Sequence, residues 1–225
     1  VWTATDRCGN TASATQRIDV AGAPGAMIRH VWQESPAPEY PFDSWEKAAH
    51  TIQEAVDAAV PGDIVLVTNG VYETGARVTP GYRLLNRVVS TNDITVRSEN
   101  GPEATVIRGQ GPRGSNAVRG VHMTAGRLIG FTVTNGHTRL DGDGTYDQNQ
   151  GGINMCPSTV AIVSNCLITG CSAYSSGGTA WGQVYNSIIR GNRAVFSSGG
   201  AGGSGILYNC LLEDNTVEQF GGGAD

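Results

Sequence analysis

Three aspartates, Asp141, Asp143 and Asp147, stand close together in the segment 137–150, which reads HTRLDGDGTYDQNQ. Hard oxygen donors at that spacing are the minimum for a calcium site. The segment lacks the acidic residue that closes an EF-hand loop, and Asp-Gly pairs are also ordinary turn chemistry. It therefore reads either as a solvated turn or as a cation site, with Ca2+ the ion its donors suit. A second candidate lies further on, where Arg190 and Glu213 fall in one outward column with Thr169. An arginine and a carboxylate two strand spacings or less apart are an acid and a base in principle, and a solvated surface contact more often. Trp181 lies nearby along the chain with Tyr174, Tyr185 and Tyr208, and Leu167, Ile188 and Leu211 form an outward aliphatic column. Such stripes mark sugar stacking or protein docking when exposed, and are equally open to being covered by a loop or a neighbouring domain. Arg190, Glu213 and Trp181 are the candidate substrate-binding residues.

The elements that must position these groups are visible as a repeat. Ser164-Asn165-Cys166-Leu167-Ile168-Thr169-Gly170-Cys171 recurs from Tyr185 to Asn192 and again from Tyr208 to Asn215, with the asparagines at steps of 21 and 23 residues. Each unit is too short for two helices, and one unit cannot bury its apolar face alone. The columns alternate. Val163, Val184 and Leu207 are apolar, as are Ile168, Ile189 and Leu212, and small residues fill the Cys166, Ser187, Cys210 column. Thr169, Arg190 and Glu213 are polar and unlike one another, as an outward face allows. Ala173, Ala194 and Val217 supply the inward residue of a second strand before glycine pairs turn the chain. The asparagines at the strand starts suit left-handed corners and side-chain ladders. Cys166 and Cys210 are a whole coil apart, so they read as small apolar fillers rather than a disulfide.

Composition sets the outer limits. The chain has 225 residues, 32 glycines, five cysteines and a formal charge of −5. No basic run offers a footprint for nucleic acid or lipid headgroups. No 18-residue apolar stretch predicts a membrane span, and no CxxC spacing predicts a zinc or redox centre. The sequence opens without Met and stops where another coil is due, so both ends read as cut, and the open last coil is expected to invite end-to-end self-association.

Residues 1–20 alternate as a hairpin turning at 6–10, and 21–26 read as a linker. The run Trp2-Thr3-Ala4-Thr5-Asp6 with Gly9-Asn10-Thr11-Ala12 resembles the last hairpin of an immunoglobulin-like bacterial surface module of the hyaline-repeat kind. Next comes an amphipathic helix, expected over about 44–60, capped by Asp43-Ser44 and presenting Trp45, Ala48, Ala49, Ile52, Ala55, Val56 and Ala59 on one face. It is expected to close the N-terminal end of the stack. The helix end from Ile52 to Ala59, followed by Gly62-Asp63 and Asn69-Gly70-Val71-Tyr72, resembles the entry to right-handed parallel β-helix proteins of the pectate-lyase-like superfamily. That resemblance covers 27–225 and implies an all-β solenoid with an N-terminal capping helix, truncated at its C-terminus.

Polysaccharide lyases of that superfamily hold calcium in a carboxylate cluster and use an Arg or Lys as base; hydrolase relatives use paired Asp. Neither constellation is evident here. The expected function is a secreted or cell-surface module that binds a polysaccharide or another surface ligand in adhesion or display. The alternative is a polysaccharide lyase or glycosidase acting on acidic polysaccharide. Function is expected where the repeat is interrupted, above all in the extra loop 136–150, because solenoid insertions cluster on one face.

Overall fold

The structure, a computed structural model, describes residues 2–5, 11–14, 25–203, 205–219 and 223. The described residues are mostly β, with three long sheets of almost wholly parallel strands and one α-helix among them. The chain runs from sheet to sheet and returns to the first, one strand further along, every coil. Sheet 1 has seven strands, from Ile28–Val31 through Ile64–Val67, Thr95–Ser98, Arg127–Ile129, Ile162–Ser164 and Gln183–Tyr185 to Ile206–Tyr208. Sheet 2 stacks six, from Gly70–Tyr72 to Leu211–Glu213. Sheet 3 stacks Leu85–Ser90, Val118–Met123, Ile153–Asn154, Thr179–Ala180 and Ala201–Gly202, with the short antiparallel Arg77–Val78 on its edge.

Register follows the sequence columns. Val163 pairs Val184 and Val184 pairs Leu207; Ile168, Ile189 and Leu212 align likewise, as do Ala173, Ala194 and Val217. Inward members of each strand form one continuous core in which Phe131, Met155, Ile168 and Ile189 are fully buried. A pleated strand sends alternate side chains to opposite faces, so each column repeats its neighbour's slot.

The corners explain the asparagines. Asn165, Asn186 and Asn209 all have φ near 50°, and Gly130 takes the same left-handed place one coil earlier. Asn tolerates this conformation better than other side chains do. A side-chain rung joins Asn209 Nδ2 to Asn186 Oδ1 at 2.7 Å. A second asparagine ladder lies on the inner side: Cys171 N–H donates to Asn192 Oδ1, and Asn192 Nδ2 donates to Asn215 Oδ1. The described cysteines Cys156, Cys166, Cys171 and Cys210 are free thiols. Burial pushes the Cys166 thiol up to about 11 and Cys171 to about 12, so both act as small core fillers.

The helix is shorter than the amphipathic pattern predicts. It spans Ile52–Ala58, and its cap is Thr51, in a reciprocal capping box with Glu54. Residues 46–49 cannot be helical because their carbonyls serve other segments. Glu46 O accepts from Ala37, Lys47 O from Glu39 and Ala49 O from Trp32. Ala49 bridges Val31 in parallel and so covers part of the edge of sheet 1. Ile52, Ala55, Val56 and Ala59 close the end of the core. Behind them Asp63, 1% exposed at its side chain, accepts from Met27 N, Val60 N and Arg29 Nε and pairs with Arg29.

At the N-terminus, Trp2–Thr5 pairs antiparallel with Thr11–Ala14. The expected turn at 6–10, the strand continuation through Ile18 and Val20, and most of the 21–26 linker lie outside the described residues.

Candidate functional sites

The inserted loop 137–150 roofs the outer face of sheet 3. Val121 and Ile153 point into the core, so their neighbours His122 and Asn154 face outward, yet both are buried. The loop covers them: Asn154 Nδ2 donates to Gln150 Oε1 and to Thr145 O. Arg119 organises the roof from beneath. Its guanidinium is fully buried and donates to the carbonyls of Gln150, Tyr146 and Asn149 at 2.6–2.7 Å, and to Asn86 Oδ1 and Thr79 Oγ1. Five donors in a planar fork suit a fan of carbonyls that one ammonium could not satisfy. Burial lowers its pKa to about 9, which leaves it charged at neutral pH.

Each loop aspartate is engaged by the protein itself. Asp147 Oδ1 accepts from Arg83 N and Leu84 N, both at 2.8 Å, and Oδ2 accepts from Asp143 N. Burial works against its ionised form, but these N–H groups and the Arg83 charge outweigh it and hold the carboxyl below its ordinary value. Asp147 thus clasps the 79–84 turn to the loop, and Tyr82 stacks on Tyr146 at 4.1 Å between ring centroids. Asp143 Oδ1 accepts from Thr145 N and Tyr146 N, an ordinary aspartate turn. Asp141, 61% exposed, pairs with Arg83 and Arg139. Among the described residues no three His, Cys, Asp or Glu side chains are grouped to hold a metal ion. Both oxygens of Asp147 and Oδ1 of Asp143 are spent on backbone N–H groups and Asp141 on guanidinium, which is the hydrogen bonding of a structured turn.

Arg190 and Glu213 do meet, at 3.7 Å on adjacent strands of sheet 2, with both side chains about half exposed. Trp181 is not with them. It sits on the corner between Thr179–Ala180 and Gln183–Tyr185, packs against the core, and lays its indole against Gly203 of the next coil. Nine residues is close to half a coil, which carries Trp181 to a different face. Its φ of 64° is unusual for an aromatic residue and is held by this packing. The outward column is real and opens along the stack: Leu167 is half-buried, Ile188 38% exposed and Leu211 50% exposed. On other faces Tyr174 of Ser172–Ser175 stacks on Phe196 of Arg193–Ser197 at 5.6 Å, and Tyr185 tilts against Tyr208 on sheet 1 at 6.1 Å between ring centroids.

Sequence reasoning missed one site altogether. Trp32, Trp45, Thr68 and Glu99 line an open groove of about 300 Å3 on the outer face of sheet 1. Trp45 stands there because residues 45–49 are not helical, so its ring meets His30 in a T-shaped contact at 4.5 Å between centroids instead of joining the core. The Thr51-x-x-Glu54 spacing was the available signal for the true helix start.

Fold and sites together describe an all-β protein of long parallel sheets with one end-closing helix and a loop-roofed face. No family model, curated protein or solved structure matches the chain. No helix among the described residues is long and apolar enough to cross a membrane.

Proposed function

We propose that residues 27–225 form a right-handed parallel β-helix of the pectate-lyase-like kind, which acts outside the cell or on its surface by binding carbohydrate in adhesion or display. The observation that carries this reading is repetition on the outer faces. Tyr174 with Phe196 and Tyr185 with Tyr208 place aromatic rings one coil apart, and the exposed aliphatics Ile188 and Leu211 repeat in the same way on sheet 2. A ligand that is itself a polymer can contact such faces in register, and aromatic rings give large contact area with little ordering cost.

A lyase or glycosidase acting on acidic polysaccharide is the competing reading. Arg190 and Glu213 are the side chains it would use first, and their half-exposed pairing is what a solvated surface contact provides. Affinity electrophoresis through gels of neutral and acidic polysaccharides, run beside an ultraviolet assay for unsaturated uronate products with calcium, separates the two. Retarded migration without product supports the binding module. Product release makes the chain an enzyme, and unretarded migration in every gel sinks the carbohydrate reading.

A further inference from the structure

The groove between Trp32 and Trp45 belongs to no part of the repeat and takes no part in closing the core. Val31 is fully buried, so Trp32, the next residue, faces outward. Thr68 and then Glu99 follow it on successive strands, since Thr68 N–H donates to Val31 O and Glu99 N–H to Val67 O. Parallel strands lie about 4.8 Å apart, so the row from Trp32 to Glu99 runs about 10 Å across the sheet. Trp45 forms the second wall, held by its contact with His30 and by the turn in which Lys47 N–H donates to Ser44 Oγ.

The groove's polar groups are unspent. Among the described residues neither the Glu99 carboxylate nor the Thr68 hydroxyl has a hydrogen-bonding or ion-pair partner, whereas neighbouring Asn69 and Asn100 bond each other. Two indoles with free acceptors between them are amphipathic in the way a sugar is. Indole rings are electron-rich at their faces and suit C–H groups, and a carboxylate and a hydroxyl suit ring hydroxyls. A volume of about 300 Å3 is at the lower end of ligand sites and admits a short oligosaccharide stretch.

Charge selects within carbohydrates. Glu99 carries the only formal charge among the four lining residues, and a uronate brought beside it would meet repulsion. Arg97, two residues earlier on the same strand, does not line the groove; its Nε is buried. The phosphates of a nucleic acid are disfavoured for the same reason, despite the stacking surface.

We propose that this groove is a binding subsite for uncharged or amino-bearing pyranosides, which rests on the carbohydrate-binding reading above and gives it a place and a sugar class. The test is a glycan array of neutral, amino and uronate oligosaccharides, followed by titration of the best hit against the intact chain by tryptophan fluorescence and calorimetry. Neutral or amino glycans are expected to bind. Trp32→Ala and Trp45→Ala should each weaken binding at least tenfold, Trp45→Phe should retain most of it, and Glu99→Gln should weaken amino glycans more than neutral ones. Circular dichroism and the thermal midpoint show that each variant is folded.

If glycans bind but the Trp32 and Trp45 variants bind them equally well, the subsite is wrong and the carbohydrate reading stands. Uronates as the only hits would also overturn the subsite. If no glycan binds the wild-type chain, both readings fall. Choline chloride is titrated in parallel, and quenching by choline with no glycan hit would make the groove an ammonium cage instead.

Discussion

The side-chain amide of Gln53 pairs with both backbone polar groups of Val89. Val89 N–H donates to Gln53 Oε1 at 2.7 Å, and Gln53 Nε2 donates to Val89 O at 3.1 Å. A helix residue thus takes the place of a neighbouring strand at the edge of sheet 3. Arg77–Val78 does the same further along the same strand, at Leu85 and Asn86. Unpaired strand edges template association, and here they are blunted by a side chain and a short hairpin arm.

Gln53→Ala is expected to lower stability by about 1–3 kcal/mol, the cost of leaving a buried backbone N–H and C=O without partners. Urea unfolding reads the stability, and light scattering should show concentration-dependent self-association. An unchanged midpoint in the variant would show that water satisfies Val89 as well as Gln53 does.

Asp63 should govern acid stability. Burial disfavours its charge, but N–H groups of Val60 and Met27 and the Arg29 guanidinium outweigh that and depress its pKa below 3.8. A depressed carboxyl contributes stability that is complete above the unfolded value and lost as pH falls through the folded one. Stability should therefore fall below about pH 4. Asp63→Asn should cost about 3–5 kcal/mol at neutral pH by stranding Arg29, and should flatten that acid limb. Unfolding curves of both proteins from pH 7 to pH 3 decide it.

His122 should act in a different window. Burial, then the neighbouring Arg119 charge, lower its pKa to about 4 from 6.5, while Asn154 opposes the shift. The folded state thus prefers neutral imidazole. Its contribution is complete above pH 6.5 and is lost as pH falls toward 4. His122→Asn should remove this part of the pH dependence and leave the Asp63 limb. Proton NMR titration of the imidazole gives the pKa directly; a value near 6.5 would mean that the loop roof does not exclude water.

Asn165 separates conformation from side-chain chemistry, because it is exposed, has a φ of 52°, and sits between two core strands. Asn165→Gly should be within about 1 kcal/mol of wild type. Asn165→Val should lose about 1–2 kcal/mol by forcing a β-branched residue into the left-handed region. Equal stability of the two variants would show that the corner relaxes.

The repeat was legible because core columns at a fixed step leave a two-residue alternation that no other element produces. The register of Ile168, Ile189 and Leu212 and the left-handed asparagines follow from it directly. The helix start departs from the periodicity: Trp45, Ala48 and Ala49 fit a helical face, but their segment is drawn into pairing with residues 30–39. That competition is between distant backbone groups and leaves no mark in local periodicity. The loop aspartates were visible as oxygen donors, whereas their partners, the N–H groups of Arg83 and Leu84, lie more than sixty positions away.

By itself, then, the amino-acid order determined the parallel stacking, the inward columns and the corners, all set by contacts between a residue and its equivalent one coil away. Only the tertiary structure decided which outward groups are spent and which are free. It buries Arg119 and His122 under a loop, commits Asp147 to backbone N–H groups, sends Trp181 into a corner, and leaves Trp32, Trp45 and Glu99 open. The reason is physical: a polar or aromatic side chain is available for a ligand only if no distant segment of its own chain has already satisfied it.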